Sequence, residues 1–291
     1  MSGAQESCAA SSLSAQDRLT LLEIATSYGR LPGVVAVALA GSLAASTSDV
    51  ASDADLYVYV AQLPPLAMRA ALAAHFATTF EIGNSAWEPG DEWLDARTGR
   101  HIDVIYRTPA WIEEQLARVL ARHEASTGYS TCFWHNVLYS LPLVDTDGWY
   151  GRLQAGARQP YPEGLKQAII AKNHPILRQA LSSFLHQITR AVARDDAISV
   201  QHRVTALLAS YFDILFAVNE LPHPGEKRQL RFALERCSKL PPNMESTVVA
   251  LLSTPAAPTT GVIVHRANAL VDGLDALLDA EGRLARSEPV R

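Results

Sequence analysis

An apolar run from Val34 to Ala40 stops at Gly41-Ser42, and a second apolar run opens on Asp53-Ala54-Asp55 and continues to Val60. The first run is continuous and valine-rich and reads as a strand buried on both faces, which places it inside a sheet covered by other elements. On a strand, residues i and i+2 project to the same side, so Asp53 and Asp55 share a face with Tyr57 and Tyr59, and Leu56, Val58 and Val60 take the other. Two carboxylates side by side at a strand head have the oxygen donors that Mg²⁺ prefers. Gly41 and Ser42, at the end of the preceding strand, place backbone N–H groups and a hydroxyl where phosphate oxygens can be received. A phosphate cradle beside a metal dyad points to nucleotide chemistry.

The chain has 291 residues, which on length alone corresponds to about two domains. With 48% hydrophobic and 19% charged residues it has enough apolar material for a sizeable core. A net charge of −5 and a pI near 6.0 argue against a general nucleic-acid binder. Cys8, Cys132 and Cys237 are far apart and odd in number, so they form neither a disulfide framework nor a metal spacing. There is no membrane-length apolar run and no basic-then-apolar leader, and the expectation is a cytoplasmic protein.

Ser14 to Asp17 is a helix start and Gly29 with Pro32-Gly33 its end. A helix follows Pro65, with Met68, Leu72, Phe76 and Phe80 as its stripe. Glu81 to Gly99 reads as an irregular acidic stretch. His101 to Tyr106 is a third strand, with His101, Asp103 and Ile105 on one side. After Pro109 the pattern is helical throughout. Gly156, Pro160, Pro162 and Gly164 mark a boundary, dividing the chain into residues 1–155 and 156–291. Beyond it run three amphipathic stripes: Leu181, Phe184, Leu185, Ile188 and Val192; then Val204, Leu208, Tyr211, Leu215 and Val218; then Leu270, Leu274, Leu277 and Leu278. The expected class is α+β: a mixed sheet flanked by helices, followed by an all-α bundle.

Nucleotidyl transfer needs metal ions that neutralise charge and align the attacking oxygen with its leaving group. Asp103 interrupts an otherwise apolar strand at a depth matching the aspartate pair, and an acid there is costly unless paired or metal-bound. Gly41-Ser42, ten residues, Asp53-Ala54-Asp55 and an acid on a following strand together resemble the nucleotidyltransferase fold of the DNA polymerase β superfamily. More narrowly, they resemble bacterial aminoglycoside nucleotidyltransferases and relatives with a helical C-terminal domain. The resemblance implies transfer of a nucleoside monophosphate, usually AMP from ATP, to a hydroxyl-bearing acceptor. It implies that Gly41 and Ser42 contact phosphates, that Asp53 and Asp55 hold Mg²⁺ (two ions), and that Asp103 is the third carboxylate or the general base.

Lys227 and Arg228, at a helix start after His223-Pro224-Gly225, are candidate partners for the pyrophosphate leaving group, weighed against a solvated basic turn. Lys166 reads as a solubility residue. The acids of residues 81–95 read as a solvated loop, with a lining for a cationic acceptor as the alternative. Tyr129-Ser130 and His135-Asn136 carry no assignment. The nine histidines show no ligand spacing, and no serine-hydrolase elbow, Walker loop or dinucleotide fingerprint is present. The rival to a small-molecule nucleotidyltransferase is a non-catalytic nucleotide-sensing or antitoxin-like partner-binding module, or a transferase acting on protein or RNA.

Overall fold

Ser14 caps the first helix, α1 (Ala15–Gly29), its Oγ accepting from the Asp17 backbone N–H at 3.0 Å. The computed structural model describes residues 14–44, 53–86, 88–254 and 261–284, without the side chains of Ser42 and Ala44. Cys8, Ser52, Trp87 and most of the segment between Gly41-Ser42 and Asp53 therefore lie outside the described residues. The chain divides into two units, Met1–Ala117 with Asn136–Gln159, and Arg118–His135 with Pro160–Arg291.

In the first unit α1 is followed by β1 (Val34–Leu39), α2 (Gly41–Ala44), β2 (Ala54–Val60), α3 (Leu66–Phe76), β3 (Ala77–Asn84), β4 (Gly90–Asp95) and β5 (His101–Arg107). Then come α4 (Pro109–Leu120), α5 (Cys132–Tyr139), β6 (Leu141–Asp145) and α6 (Trp149–Ala157). The strands form one mixed sheet in the order β3-β4-β5-β2-β1-β6, with β2 and β5 parallel and the other neighbours antiparallel. A parallel pair needs a crossover, which α3 and the β3–β4 hairpin supply. One sheet face carries Val37, Leu39, Leu56, Val58, Trp93, Ile102 and Val104, and they bury with Leu21, Ile24 and Tyr28 of α1. On the other face Tyr59 packs against Trp149 and Tyr150, ring centroids 5.2 Å away in each case.

Three expectations are corrected here. Residues 81–99 hold the end of β3 and all of β4, an antiparallel hairpin. Acidic residues disguised it, because on a strand they alternate between two faces instead of marking a loop: Asp91 and Asp95 are wholly buried, while Glu81 and Glu92 point outward. Phe80 belongs to β3, and the helix before it buries Arg69, Ala73 and Phe76 while Met68 is exposed. The stretch after Pro109 is interrupted by β6, whose Pro142 is tolerated on an edge strand.

The second unit is built from α7 (Glu163–Arg178), α8 (Phe184–Ala193), α9 (Ala197–Val218), α10 (Gln229–Arg236), α11 (Met244–Leu252) and α12 (Val262–Ala280). The three stripes line its core, except Leu181, which precedes α8 and is 90% exposed. Lys166 is buried and bridges Glu163 at 3.0 Å and Glu220 at 2.7 Å, so its role is structural pairing. Among the described residues no helix is long and apolar enough to cross a membrane.

The second half of α9 is buried on all sides, Asp213 included. Its carboxylate accepts from the Ser130 backbone N–H at 3.0 Å and the Ser130 hydroxyl at 2.6 Å. Asn173 of α7 accepts from the Gly128 N–H at 2.9 Å and donates to the Ser126 carbonyl at 3.0 Å. Two buried side chains thus pin a loop whose Gly128 and Tyr129 are left-handed, which accounts for Ser130. Burial pushes the Asp213 carboxyl up to about 7 against the lowering effect of its Ser130 hydrogen bonds. The folded chain therefore holds this proton more tightly than the unfolded chain, whose ordinary value is 3.8. The stability it contributes is complete below that ordinary value and is lost as pH rises through about 7. Urea melts of wild type and Asp213→Asn between pH 4 and 8 should show a falling wild-type stability, by at most about 1.4 kcal/mol per pH unit, and a flatter slope in the variant. Parallel slopes would contradict it.

Candidate functional site

Asp55 of β2 stands directly opposite Asp103 of β5 in the parallel ladder. Asp103 is in turn opposite Glu92 of β4, and Glu92 opposite Glu81 of β3. Four carboxylates thus lie in one row across four adjacent strands, about 4.8 Å from strand to strand. Like charges facing across a ladder are destabilising. Burial, then Asp55, then Glu92 push the Asp103 carboxyl up to about 6. Asp53 precedes the ladder, half exposed, beside His101. The sheet therefore pairs Asp55 with Asp103, with Asp53 just before the ladder beside His101, and adds Glu92, whose Oε1 accepts from the Asn84 side-chain amide at 3.0 Å. Sequence reasoning missed Glu92 because its neighbours Asp91 and Trp93 are core residues; an alternation count over β4 was the available signal.

Gly41 closes the other end of the row. The Ala40 N–H donates to the Asp55 carbonyl at 2.8 Å, which carries β1 alongside β2 up to this turn. Gly41 has φ +64°, and a Cβ built on it would lie 1.7 Å from Asp55 Oδ2. Only glycine lets the backbone sit against that carboxylate. Gly41 thus shapes the seat of Asp55, a role distinct from the phosphate contact that the resemblance implies for it and for Ser42.

Farther along the same face, Arg107 forks to Glu88 at 2.7 and 2.8 Å, and its guanidinium lies 4.2 Å from the Tyr57 ring centroid. The amide of Asn136 donates to the Tyr57 hydroxyl at 3.3 Å, which accounts for a residue that carried no assignment. The acids of residues 81–95 are thereby divided: Glu81 and Glu92 join the row, Glu88 pairs with Arg107, and Asp91 and Asp95 are interior. Lys227 and Arg228 belong to the second unit, exposed before α10, with Arg228 left-handed at φ 58°. Arg231, one turn on, is paired with Glu235 at 2.7 Å. The link of Lys227 and Arg228 to a leaving group rests on their charge and their place at a helix start.

Sixteen solved chains resemble this one, among them the following two. A nucleotidyltransferase-like protein from Exiguobacterium sibiricum shares 11% identity over 90% of this chain and 74% of that one, at a TM-score of 0.42. The CCA-adding enzyme of Thermotoga maritima, complexed with tRNA, shares 12% identity over 97% of this chain and 70% of that one, at a TM-score of 0.35. No family model and no curated protein sequence matches the chain. The functional reading therefore stands on the residues.

Among the described residues, no group of three or more His, Cys, Asp and Glu side chains is gathered closely enough to cage an ion. Mg²⁺ does not require such a cage: one or two carboxylates usually suffice, with waters and substrate phosphates filling the remaining positions. A facing pair of hard oxygen donors, with further acids beside it, fits that habit.

Proposed function

We propose that the chain is a Mg²⁺-dependent nucleotidyltransferase that moves a nucleoside monophosphate, AMP from ATP in the first instance, to a hydroxyl on a small-molecule acceptor such as an aminoglycoside-like compound. The observation that supports this best is the Asp55–Asp103 pair facing across parallel strands with Gly41 set against Asp55. Bound Mg²⁺ would supply neutralisation of phosphate charge. Asp53 and Asp55 would hold the metal, and Asp103 would complete its shell or accept the proton of the attacking hydroxyl. In the transfer the acceptor oxygen bonds to the α-phosphorus as the bond to the bridging oxygen breaks. Pyrophosphate leaves with that electron pair, and the hydroxyl proton goes to the base.

The test is pyrophosphate release from ATP in the presence of Mg²⁺ and a panel of hydroxyl acceptors, aminoglycosides included. Asp55→Asn and Asp103→Asn should reduce release to the metal-free background while leaving the melting temperature near that of wild type. A nucleotide at about 100 times its Kd should also add about 2.7 kcal/mol to stability. If no nucleotide shifts the melt and no acceptor releases pyrophosphate, the partner-binding alternative replaces this reading.

A further inference from the structure

His101 opens β5 on the face of Asp103, and its neighbour across the ladder in β4 is Leu94, so no polar partner faces it there. Its two ring nitrogens look at two acids. Nδ1 lies 3.9 Å from Asp53 Oδ1, and Nε2 lies 3.7 Å from Glu92 Oε2. Glu92 is itself held, its other oxygen taking the Asn84 amide at 3.0 Å. Asp53 stands differently from Asp55. The β2–β5 ladder starts at Ala54↔Ile102, so Asp55 is set by strand pairing and Asp53 lies outside it. Extending that register back by one residue brings Asp53 level with His101.

We propose that His101 is a positioning residue for Asp53: its ring, steadied on one side by the Asn84–Glu92 pair, keeps the Asp53 carboxylate on the face shared by Asp55 and Asp103. The proposal rests on the metal-binding part of the proposed function. It places His101 outside the ligand set and assigns it control of where a ligand points. Groups that orient metal ligands through a second layer of contacts typically govern affinity by about 10–100-fold.

Mn²⁺ titration of the full chain, followed by the free-ion electron paramagnetic resonance signal, tests it without any acceptor. His101→Ala should weaken Mn²⁺ binding about tenfold or more, with an unchanged melting temperature because the side chain is about one-third exposed. His101→Asn places an amide nitrogen near the site of Nδ1 and should restore binding to within about threefold, whereas His101→Gln, whose amide reaches toward Glu92, should not. Wild-type binding by His101→Ala, alongside lost binding by Asp55→Asn, would overturn the positioning role and leave the metal reading intact. Rescue by Gln but not Asn would overturn Asp53 as the partner. No Mn²⁺ binding by the wild-type chain would overturn the metal reading and this proposal together.

Discussion

Asp91→Ala should destabilise the chain by about 3–5 kcal/mol, the cost of leaving a buried charge without its partner. Asp91 and Arg69 are 0% and 2% exposed, at the point where α3 meets the β3–β4 hairpin. Arg69 Nε donates to Asp91 Oδ2 at 3.0 Å, and its Nη2 donates to Oδ1. The Tyr106 hydroxyl donates to Oδ2 at 2.6 Å and the Gly83 backbone N–H to Oδ1 at 2.9 Å. The carboxylate thus accepts four hydrogen bonds, and truncating it strands a guanidinium and a hydroxyl in the interior and leaves the more exposed Gly83 N–H without its acceptor. At roughly 2–4 °C per kcal/mol the melting temperature should fall by about 6–20 °C. Removing both charges should cost less than removing one, since an apolar pair of similar volume is often tolerated in place of a buried ion pair. Calorimetry of Asp91→Ala against Arg69→Met/Asp91→Leu checks this. A single-variant loss under 1 kcal/mol, or a double variant worse than the single, would contradict it.

Gly41→Ala is expected to lose about 2–5 kcal/mol and, with it, the seat of Asp55. Two costs add. A left-handed backbone is about 1–2 kcal/mol dearer for alanine than for glycine. The new methyl would also lie 1.7 Å from Asp55 Oδ2, so the carboxylate must swing away, and overpacking of this kind costs about 1–3 kcal/mol. Gly99 supplies the control. It too is left-handed, at φ +67°, but a Cβ there meets nothing within 4 Å, so Gly99→Ala should show the backbone cost alone. Urea midpoints separate the two variants, and Mn²⁺ titration shows whether Gly41→Ala also loses the cation, which Gly99→Ala should retain. Equal losses in both variants would mean that the Asp55 carboxylate is not seated against Gly41.

The strands that carry the acids were legible because each is a run of residues with one simple pattern. Val34–Leu39 is apolar throughout, β2 runs aliphatic and aromatic behind Asp55, and β5 alternates through Asp103. The cap on α1 was equally local, a serine three residues before an aspartate. The β3–β4 hairpin was hidden because its acids serve opposite purposes on opposite faces, and composition averages the two. β6 was hidden by its brevity and by a proline that only an edge position permits.

Asp91 and Glu92 make the difference concrete. They are adjacent in the chain and chemically alike, yet one is sealed against Arg69 and the other stands in the row beside Asp103. Local periodicity is a property of neighbouring residues, so the chain's own order established where strands run and that aspartates head two of them. Which acids face one another is a matter of register between segments some fifty residues apart, and register is set by the packing of α1 and α3 against one face of the sheet. The same holds for Gly41, whose meaning is a contact with Asp55 that exists only once β1 and β2 lie side by side.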